Sequence, residues 1–301
     1  MPTSSSVIDV AVVLNPGSGA EADETKRRQE IVELFAARGR TATVFGPTPD
    51  APLDAQARQA VSAGCRVAVA AGGDGTVNAV AAAVVGRETP LAVIPTGTHN
   101  HFAKDMGIPL ELPEAVRVAC EGAVRVVDTG EVNGRVFLNN SSIGVYPRIV
   151  ELRNRYGGRG RAKWIAALWA SLAVLRRRPF LGVRIRVDDE VVVRRTPFVF
   201  VGNNEYRMVG LGAASRDSLT DGLLAVYVMR GSHRARLLWL GWRVLWRGAS
   251  RVDELELLKV VEAEIETRRG RVQVALDGEV LVLESPLAYR VRPAALRVLA
   301  P

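Results

Sequence analysis

Only two cysteines, Cys65 and Cys120, occur in the 301 residues. A disulfide framework needs more, so both read as small core residues in a reducing compartment. There are three histidines, and the spacing of His99, His101 and His233 is not a zinc pattern. Long apolar runs are also missing. The longest weakly polar stretch, Trp164–Leu175, has 12 residues, and a spanning helix needs ~20. The start, MPTSSS, has no basic segment, and the apolar run Val7–Leu14 is broken by Asp9 and too short for a signal peptide. No internal repeat is visible, and no low-complexity segment follows the first six residues. These absences predict a soluble or peripheral cytoplasmic protein.

The chain is 48% hydrophobic and 24% charged, which excludes disorder as the dominant state. At roughly 100–200 residues per domain, two domains or one large one are expected. The formal charge is +8, and it is uneven. Residues 1–128 carry 11 cations and 15 anions, a net of −4, whereas residues 129–301 carry 29 and 17, a net of +12. Such a split points to an anionic partner for the second half: nucleic acid, a membrane surface or a phosphorylated ligand.

Strand and helix signals alternate in the first third. Val7–Leu14, Thr41–Phe45, Arg66–Ala71 and Leu91–Ile94 read as strands. Arg27–Arg38, Leu53–Ala63 and Val77–Val85 read as helices between them. Short apolar strands alternating with amphipathic helices predict a parallel sheet covered on both faces. Strand signals dominate after about Val127. They include Arg135–Asn140, Val183–Val187, Val191–Val193 and Phe198–Val201. Val261–Thr267 alternates as a half-exposed strand, and Arg271–Leu276 and Val280–Leu283 flank a hairpin signal at Asp277-Gly278-Glu279. Helical stretches near 160–178 and 232–248 interrupt this region. The fold class is therefore α/β plus β: a Rossmann-like parallel-sheet domain over 1–127, then a mainly antiparallel β-sandwich over 128–286, with 287–301 free to return to the first domain.

Three glycine-rich loops follow strands: Asn15-Pro16-Gly17-Ser18-Gly19, Gly72-Gly73-Asp74-Gly75-Thr76, and Pro95-Thr96-Gly97-Thr98-His99-Asn100. In an open α/β sheet, ligands bind at the carboxyl ends of strands. Glycine lets backbone approach a phosphate, and a helix N-terminus offers free N–H groups. A single loop is as well explained by a tight turn, but three at equivalent positions point to a nucleotide. Asp74 among phosphate-binding amides calls for Mg²⁺ or water beside it; as a helix N-cap it would need neither.

The string GGDGTVNAV resembles the signature of the diacylglycerol kinase catalytic-domain family. PTGTHNHFAKDMGIP is similar to the family's second signature and NPGSG to its first, with VGNNEY, SLTDGLL and LDGE following in order. The resemblance spans about Val7 to Glu284 and is nearest to the bacterial soluble branch, which resembles sphingosine kinases. It implies two domains with ATP in the cleft between them, and phosphoryl transfer from Mg·ATP to a lipid hydroxyl, most simply diacylglycerol to phosphatidate. It implies nucleotide contacts from Asn15–Gly19, Thr48, Gly72, Gly73, Asp74, Gly75, Thr76, Val77, Asn78, Ala79, Thr98 and Asn100. It implies Glu279 as general base, with Asp74 beside the phosphates. It also implies Asp221 as a structural Mg²⁺ ligand helped by carbonyls near Ser218 and Leu223, and Asp128 as a further acid near the site. The second domain would then bind the lipid. The sequence departs from the family at Ala79, where Glu is common, at His101, where an acid is common, and at Ala20, where a basic residue is common.

All five tryptophans lie in two acid-free, arginine-rich windows. Trp164 and Trp169 fall between Glu151 and Asp188 with 10 cations; Trp239, Trp242 and Trp246 fall between Asp221 and Asp253 with 6. Trp and Arg interleaved on helices suit a lipid headgroup layer, and helix-on-helix core packing suits them equally. The expectation is an anionic membrane met peripherally at the lipid entrance. No nucleic-acid recognition motif is present, and a homodimer stays open. An NAD-kinase-like enzyme, or a catalytically inactive nucleotide- or membrane-binding protein, are the other readings.

Overall fold

A computed structural model describes residues 8–15, 21–46, 51–144, 180–188, 190–209, 212–229 and 255–301. Pro16, Gly17, Ser18, Gly19, Ala20, Thr48, both expected helical stretches and all five tryptophans lie outside the described residues. The chain divides into two units. The first runs to Thr129 and regains Ala294–Pro301; the second is Gly130–Pro293. An α/β unit followed by an antiparallel β unit is the fold class expected from the sequence.

The first unit alternates β1 (Ile8–Leu14), α1 (Glu21–Ala36), β2 (Ala42–Phe45), α2 (Leu53–Ser62), β3 (Cys65–Gly72), α3 (Asp74–Val84) and β4 (Leu91–Pro95). Two helices follow, α4 (His101–Asp105) and α5 (Leu112–Glu121), and then β5 (Ala123–Val132). The sheet order β2-β1-β3-β4 is parallel throughout, and the chain's last strand continues it by pairing Val298 with Leu91. Val10–Leu14 are fully buried on both sides of their strand. That is why the segment reads as a continuous apolar run and not as an alternation. Ile31 and Phe35 of α1 and Ala115, Val116 and Ala119 of α5 pack on Val10, Val12, Val67 and Val69. Ala57, Ala60 and Val61 of α2 and Val77 and Val80 of α3 are buried from their own helices.

Helix α1 starts six residues before the expected Arg27, but its apolar face is the expected one. Helices α4 and α5 were not foreseen, because Pro109 and Pro113 break the apolar spacing; Pro113 falls in the first turn of α5, where its missing N–H costs nothing. Arg40 forks onto Asp9, Nε to Oδ2 at 2.8 Å and Nη2 to Oδ1 at 2.9 Å, tying the first strand to the loop before β2. Cys65 is buried, as expected, whereas Cys120 is only half-buried.

The second unit is a sandwich. β6 (Arg135–Phe137), β7 (Asn140–Gly144), β8 (Leu181–Val187), β9 (Glu190–Thr196) and β10 (Phe198–Asn203) come first. A small ribbon, β11 (Tyr206–Val209) with β12 (Gly212–Arg216), precedes β13 (Leu224–Met229). Then come β14 (Leu255–Val260), β15 (Glu262–Thr267), β16 (Arg271–Leu276), β17 (Glu279–Glu284) and β18 (Leu287–Ala300). One layer has the order β14-β13-β10-β7-β16-β17, all antiparallel. The other has β18-β15-β8-β9. Ile143, Val199, Val226 and Val274 of the first layer meet Val183, Ile185, Ala263 and Ile265 of the second in one core.

Strand β15 shows how the alternation works. Ala263 and Ile265 point into the core, while Glu264 and Glu266 point out and meet Arg186 (2.8 Å) and Arg184 (3.4 Å), their ladder partners on β8. The expected strand Arg135–Asn140 is two strands. It breaks at Leu138-Asn139, whose N–H groups leave the ladder for the carboxylate of Asp277.

Candidate functional site

Two glycine loops of the first unit touch. At the end of β3 the chain enters α3 through Gly73, which is the N-cap residue; Asp74 is the first helical residue. The N-cap reading of Asp74 is therefore corrected, because the β-to-helix switch falls one residue earlier. Thr76 and Val77 N–H groups bond back to the Gly73 carbonyl at 2.9 and 3.1 Å. The N–H groups before them have no partner within the helix. The next loop, after β4, crosses directly over this turn. A Cβ on Gly97 would collide with the Gly73 Cα, so only glycine allows the two backbones this close.

Asn100 folds the second loop. It holds the left-handed conformation, φ 51°, is buried, and closes a ring: its Oδ1 accepts the Gly97 N–H at 3.0 Å and its Nδ2 donates to the Gly97 carbonyl at 2.8 Å. Asn100 thus shapes the loop with its side chain, and Thr98 and His99 are left exposed at its tip. The His99 and His101 rings stack at 5.5 Å. Among the described residues no group of three or more His, Cys, Asp or Glu could hold a metal ion.

Three polar atoms of the GGDGTVN string are buried without a hydrogen-bond partner: Asp74 Oδ1, Thr76 Oγ1 and Asn78 Oδ1. Each such atom costs about 1–3 kcal/mol if left unmade. Two acceptors and one hydroxyl, at the start of one helix, fit a hydrated cation and a phosphate group together. Val77 differs from its neighbours. Its side chain is core and its N–H is bonded to Gly73, and Ala79 is half-buried on the same helix. Asn15 remains at the start of the first loop, its N–H bonded to the Ala71 carbonyl at 2.9 Å.

In the second unit, Asp277 and Gly278 form a two-residue hairpin turn with φ of 46° and 89°. Two positive values define the turn type that matches the twist of the strands. Glu279 is exposed, opens β17 and pairs with Leu276. The turn is anchored by its own aspartate. Asp277 accepts the N–H groups of Leu138 (2.8 Å), Asn139 (2.8 Å) and Asn140 (2.9 Å). Burial pushes its carboxyl pKa up, while the three amides and nearby Arg216 pull it down.

Around this anchor lies a polar knot. Buried Arg216 donates to the Leu138 carbonyl (2.6 Å), the Asn203 carbonyl (3.2 Å) and Asn139 Oδ1 (3.0 Å). Asn203 Nδ2 donates to the Leu138 carbonyl at 2.9 Å. So VGNNEY is a framework motif: Asn203 enters the knot, and Tyr206 exchanges hydrogen bonds of 2.9 Å with the hydroxyl of Tyr227, whose pKa burial pushes up to about 12. Sequence reasoning missed Asp277, Arg216 and Asn139. The one available signal was the Asp of LDGE, which it read as a plain turn.

The remaining candidates have local partners. Asp128 is buried and accepts the Ala294 N–H at 2.8 Å, where Ala294 is left-handed at φ 49°. It fixes the point at which β18 returns to the first unit. In the loop before β13, Ser218 Oγ accepts the Thr220 N–H at 3.1 Å and Asp221 is exposed. The Leu223 carbonyl accepts the Asn204 N–H at 3.0 Å, which leaves one lone pair for a cation.

These features define an α/β unit with glycine-rich strand-to-helix loops, followed by a β-sandwich. Residues 9–132 match the diacylglycerol kinase catalytic domain, and residues 139–300 match the YegS C-terminal NAD kinase beta sandwich-like domain. The chain belongs to the diacylglycerol kinase catalytic-domain family, with a YegS-type second domain. It is 32% identical over 253 residues to a Pseudomonas aeruginosa protein named a probable YegS-like lipid kinase, covering 81% of this chain and 79% of that one. It is 29% identical over 252 residues to a protein of Mycobacterium tuberculosis named diacylglycerol kinase, covering 80% and 79%. It spans only 54% of the length of a further relative, from Synechocystis. A solved structure of a diacylglycerol kinase from Bacillus anthracis superposes with a TM-score of 0.71 over 97% of both chains, at 23% identity, which is a likeness of fold.

Proposed function

We propose that this protein is an ATP-dependent lipid kinase that transfers a phosphoryl group to a lipid hydroxyl, most simply that of diacylglycerol. The observation that carries the proposal is the set of three buried, unpartnered polar atoms in GGDGTVN at the start of α3. The relatives named lipid kinase and diacylglycerol kinase support the lipid as acceptor.

Little covalent chemistry is asked of the protein; positioning and charge stabilisation do most of the work. The N–H groups of Asp74 and Gly75 at the start of α3 and the Thr76 hydroxyl hold phosphate oxygens. Asp74 and Asn78 accept from the hydration shell of a cation. Mg²⁺, when bound, neutralises charge developing on the phosphates. Glu279 takes the proton of the lipid hydroxyl as its oxygen bonds to the γ-phosphorus and the bond to the ADP oxygen breaks. Asp277 holds Glu279 in place through the hairpin turn. Such base assistance is typically ~10²–10⁴-fold. The +12 half of the chain and its Trp/Arg windows fit peripheral binding to an anionic membrane, from which the substrate is drawn. Among the described residues no helix is long and apolar enough to cross a membrane.

The test is incubation with labelled ATP, Mg²⁺ and separate diacylglycerol, monoacylglycerol, sphingoid base and phosphatidylglycerol samples, with NAD as control. Label in diacylglycerol is expected. Label only in NAD, or in nothing, would overturn the reading.

A further inference from the structure

A cavity of ≈ 970 Å³ opens in the sandwich unit at one edge of its two layers. Six arginines line it, Arg184, Arg194, Arg195, Arg268, Arg269 and Arg271, against one carboxylate, Glu266. Glu266 is already paired with Arg184 at 3.4 Å, and Arg194 is paired with Glu256 at 3.2 Å. Arg195 lies over the Phe180 ring at 5.8 Å. Among the described residues, Arg268, Arg269 and Arg271 have no ion pair. Glu284 stands opposite Arg271 in the ladder without closing one. Like charges gathered at one mouth repel each other unless an anion joins them.

The arginines are held in position. The turn 268–270 is pinned three ways: Thr267 Oγ1 donates to the Arg269 carbonyl (2.8 Å), the Thr267 N–H to Ser285 Oγ (3.0 Å), and the Ser285 N–H to the Gly270 carbonyl (3.0 Å). Arg268 Nε lies 3.9 Å from where a Cβ of Gly182 would be, so the guanidinium covers bare backbone of β8. Apolar side chains of Phe180, Leu181, Val183 and Val272 also line it, with Thr267 and Gln273 as the uncharged polar residues. Val193 and Val282, 63% and 57% exposed, stand at the same cavity. A free inorganic anion has no use for exposed valines. A molecule with a phosphate at one end and hydrocarbon at the other matches both surfaces.

The cavity is apart from the Glu279 turn. Arg271 and Leu276 are the two ends of β16, and five steps of a strand span about 17 Å. We propose that this cavity binds the headgroup and upper chains of an anionic phospholipid, as a second lipid site that anchors the enzyme without taking part in phosphoryl transfer. The choice of an amphiphile rests on the lipid-kinase reading; the choice of an anion rests on the arginines alone.

The experiment is calorimetric titration of the full chain with monomeric dihexanoyl-phosphatidylserine, which is anionic and is not a product of the reaction. Dihexanoyl-phosphatidylcholine and inorganic phosphate are the controls. The anionic lipid is expected to bind at least about tenfold tighter than either control, and R268S/R269S/R271S to weaken it by at least about tenfold. These side chains are exposed and none of the pinning bonds uses an arginine side chain, so the variant is expected to keep its fold, which its melting temperature reports. Equal affinity for the three probes, no binding of the lipid, or unchanged affinity in the variant would each overturn the site. Turnover of soluble dihexanoylglycerol is measured in parallel. Its absence in the parent protein counts against the kinase reading alone. Its loss in the triple variant would overturn the assignment of this cavity to a place apart from catalysis.

Discussion

The loop that opens α3 and the knot behind the Glu279 hairpin are both polar and both buried, yet they are finished to different degrees. In the loop, Asp74, Thr76 and Asn78 each keep an atom without a partner. In the knot, Asp277 takes three amides within 2.9 Å and Arg216 makes three short bonds. Unmade bonds gathered at the first turns of a helix, beside free N–H groups, are what the proposed phosphate and cation would complete. A carboxylate and a guanidinium whose bonds are made suit a frame that would hold a neighbouring group such as Glu279 still. Substitutions in the two places should therefore separate activity from stability.

The largest effect is expected on activity at the tip of the frame. Glu279→Gln should lower turnover by ~10²–10⁴-fold with little change in melting temperature, because the side chain is exposed. Turnover within about threefold of the parent protein would sink the base assignment.

Next comes the loop. Asp74→Asn should reduce kcat by about 10²-fold. Its thermal stability should hold or rise, since a partly buried carboxylate with one unpartnered oxygen is replaced by a neutral amide. A fall in both together would mean that Asp74 belongs to a frame like the knot.

Asp277→Asn should show the opposite balance. Its amide cannot accept all three N–H groups, so stability should fall by about 1–3 kcal/mol in a denaturant titration. The kcat should fall about tenfold while KM for ATP stays within about twofold, as expected of a positioning residue. An unchanged kcat would make the knot structural only.

The smallest effect belongs to the first unit's outer edge. The Arg40 guanidinium holds the Asp9 carboxyl below its ordinary range. A depressed carboxyl contributes stability above its unfolded pKa and loses it as pH falls through the folded value. Arg40→Ala should cost ~1 kcal/mol or less at pH 7, since the pair is partly exposed. The difference should vanish at acid pH, below the folded pKa of Asp9. Melting curves at several pH values check it, and a difference that persists in acid would point to lost packing instead.

Much of the fold was legible because its signals are local. β1 reads directly as VAVVL, buried on both faces, and β15 as alternating Glu and apolar residues. Gly72-Gly73 marked the end of β3. What failed was also specific. Arg135–Asn140 looked like one strand, and the residue that breaks it lies 137–139 positions away. Asp74 looked like an N-cap because acid at a helix start is favourable in either position. The bonds by which Asn100 closes its own loop were equally unreadable, because they need a left-handed backbone that only the folded loop shows.

By itself the sequence determined the parallel strands, the helices that cover them, the positions of the glycine loops and the family, because periodicity, turn chemistry and motif order are written along the chain. Tertiary structure alone decided the rest. It brought Gly97 onto Gly73, turned Asp277 toward the strand break, set Asp128 under the returning strand at Ala294, and gathered six arginines from three parts of the second unit at one cavity. These depend on contacts between distant segments, which leave no period in the sequence. Burial forces each polar group to find a partner wherever the fold happens to bring one.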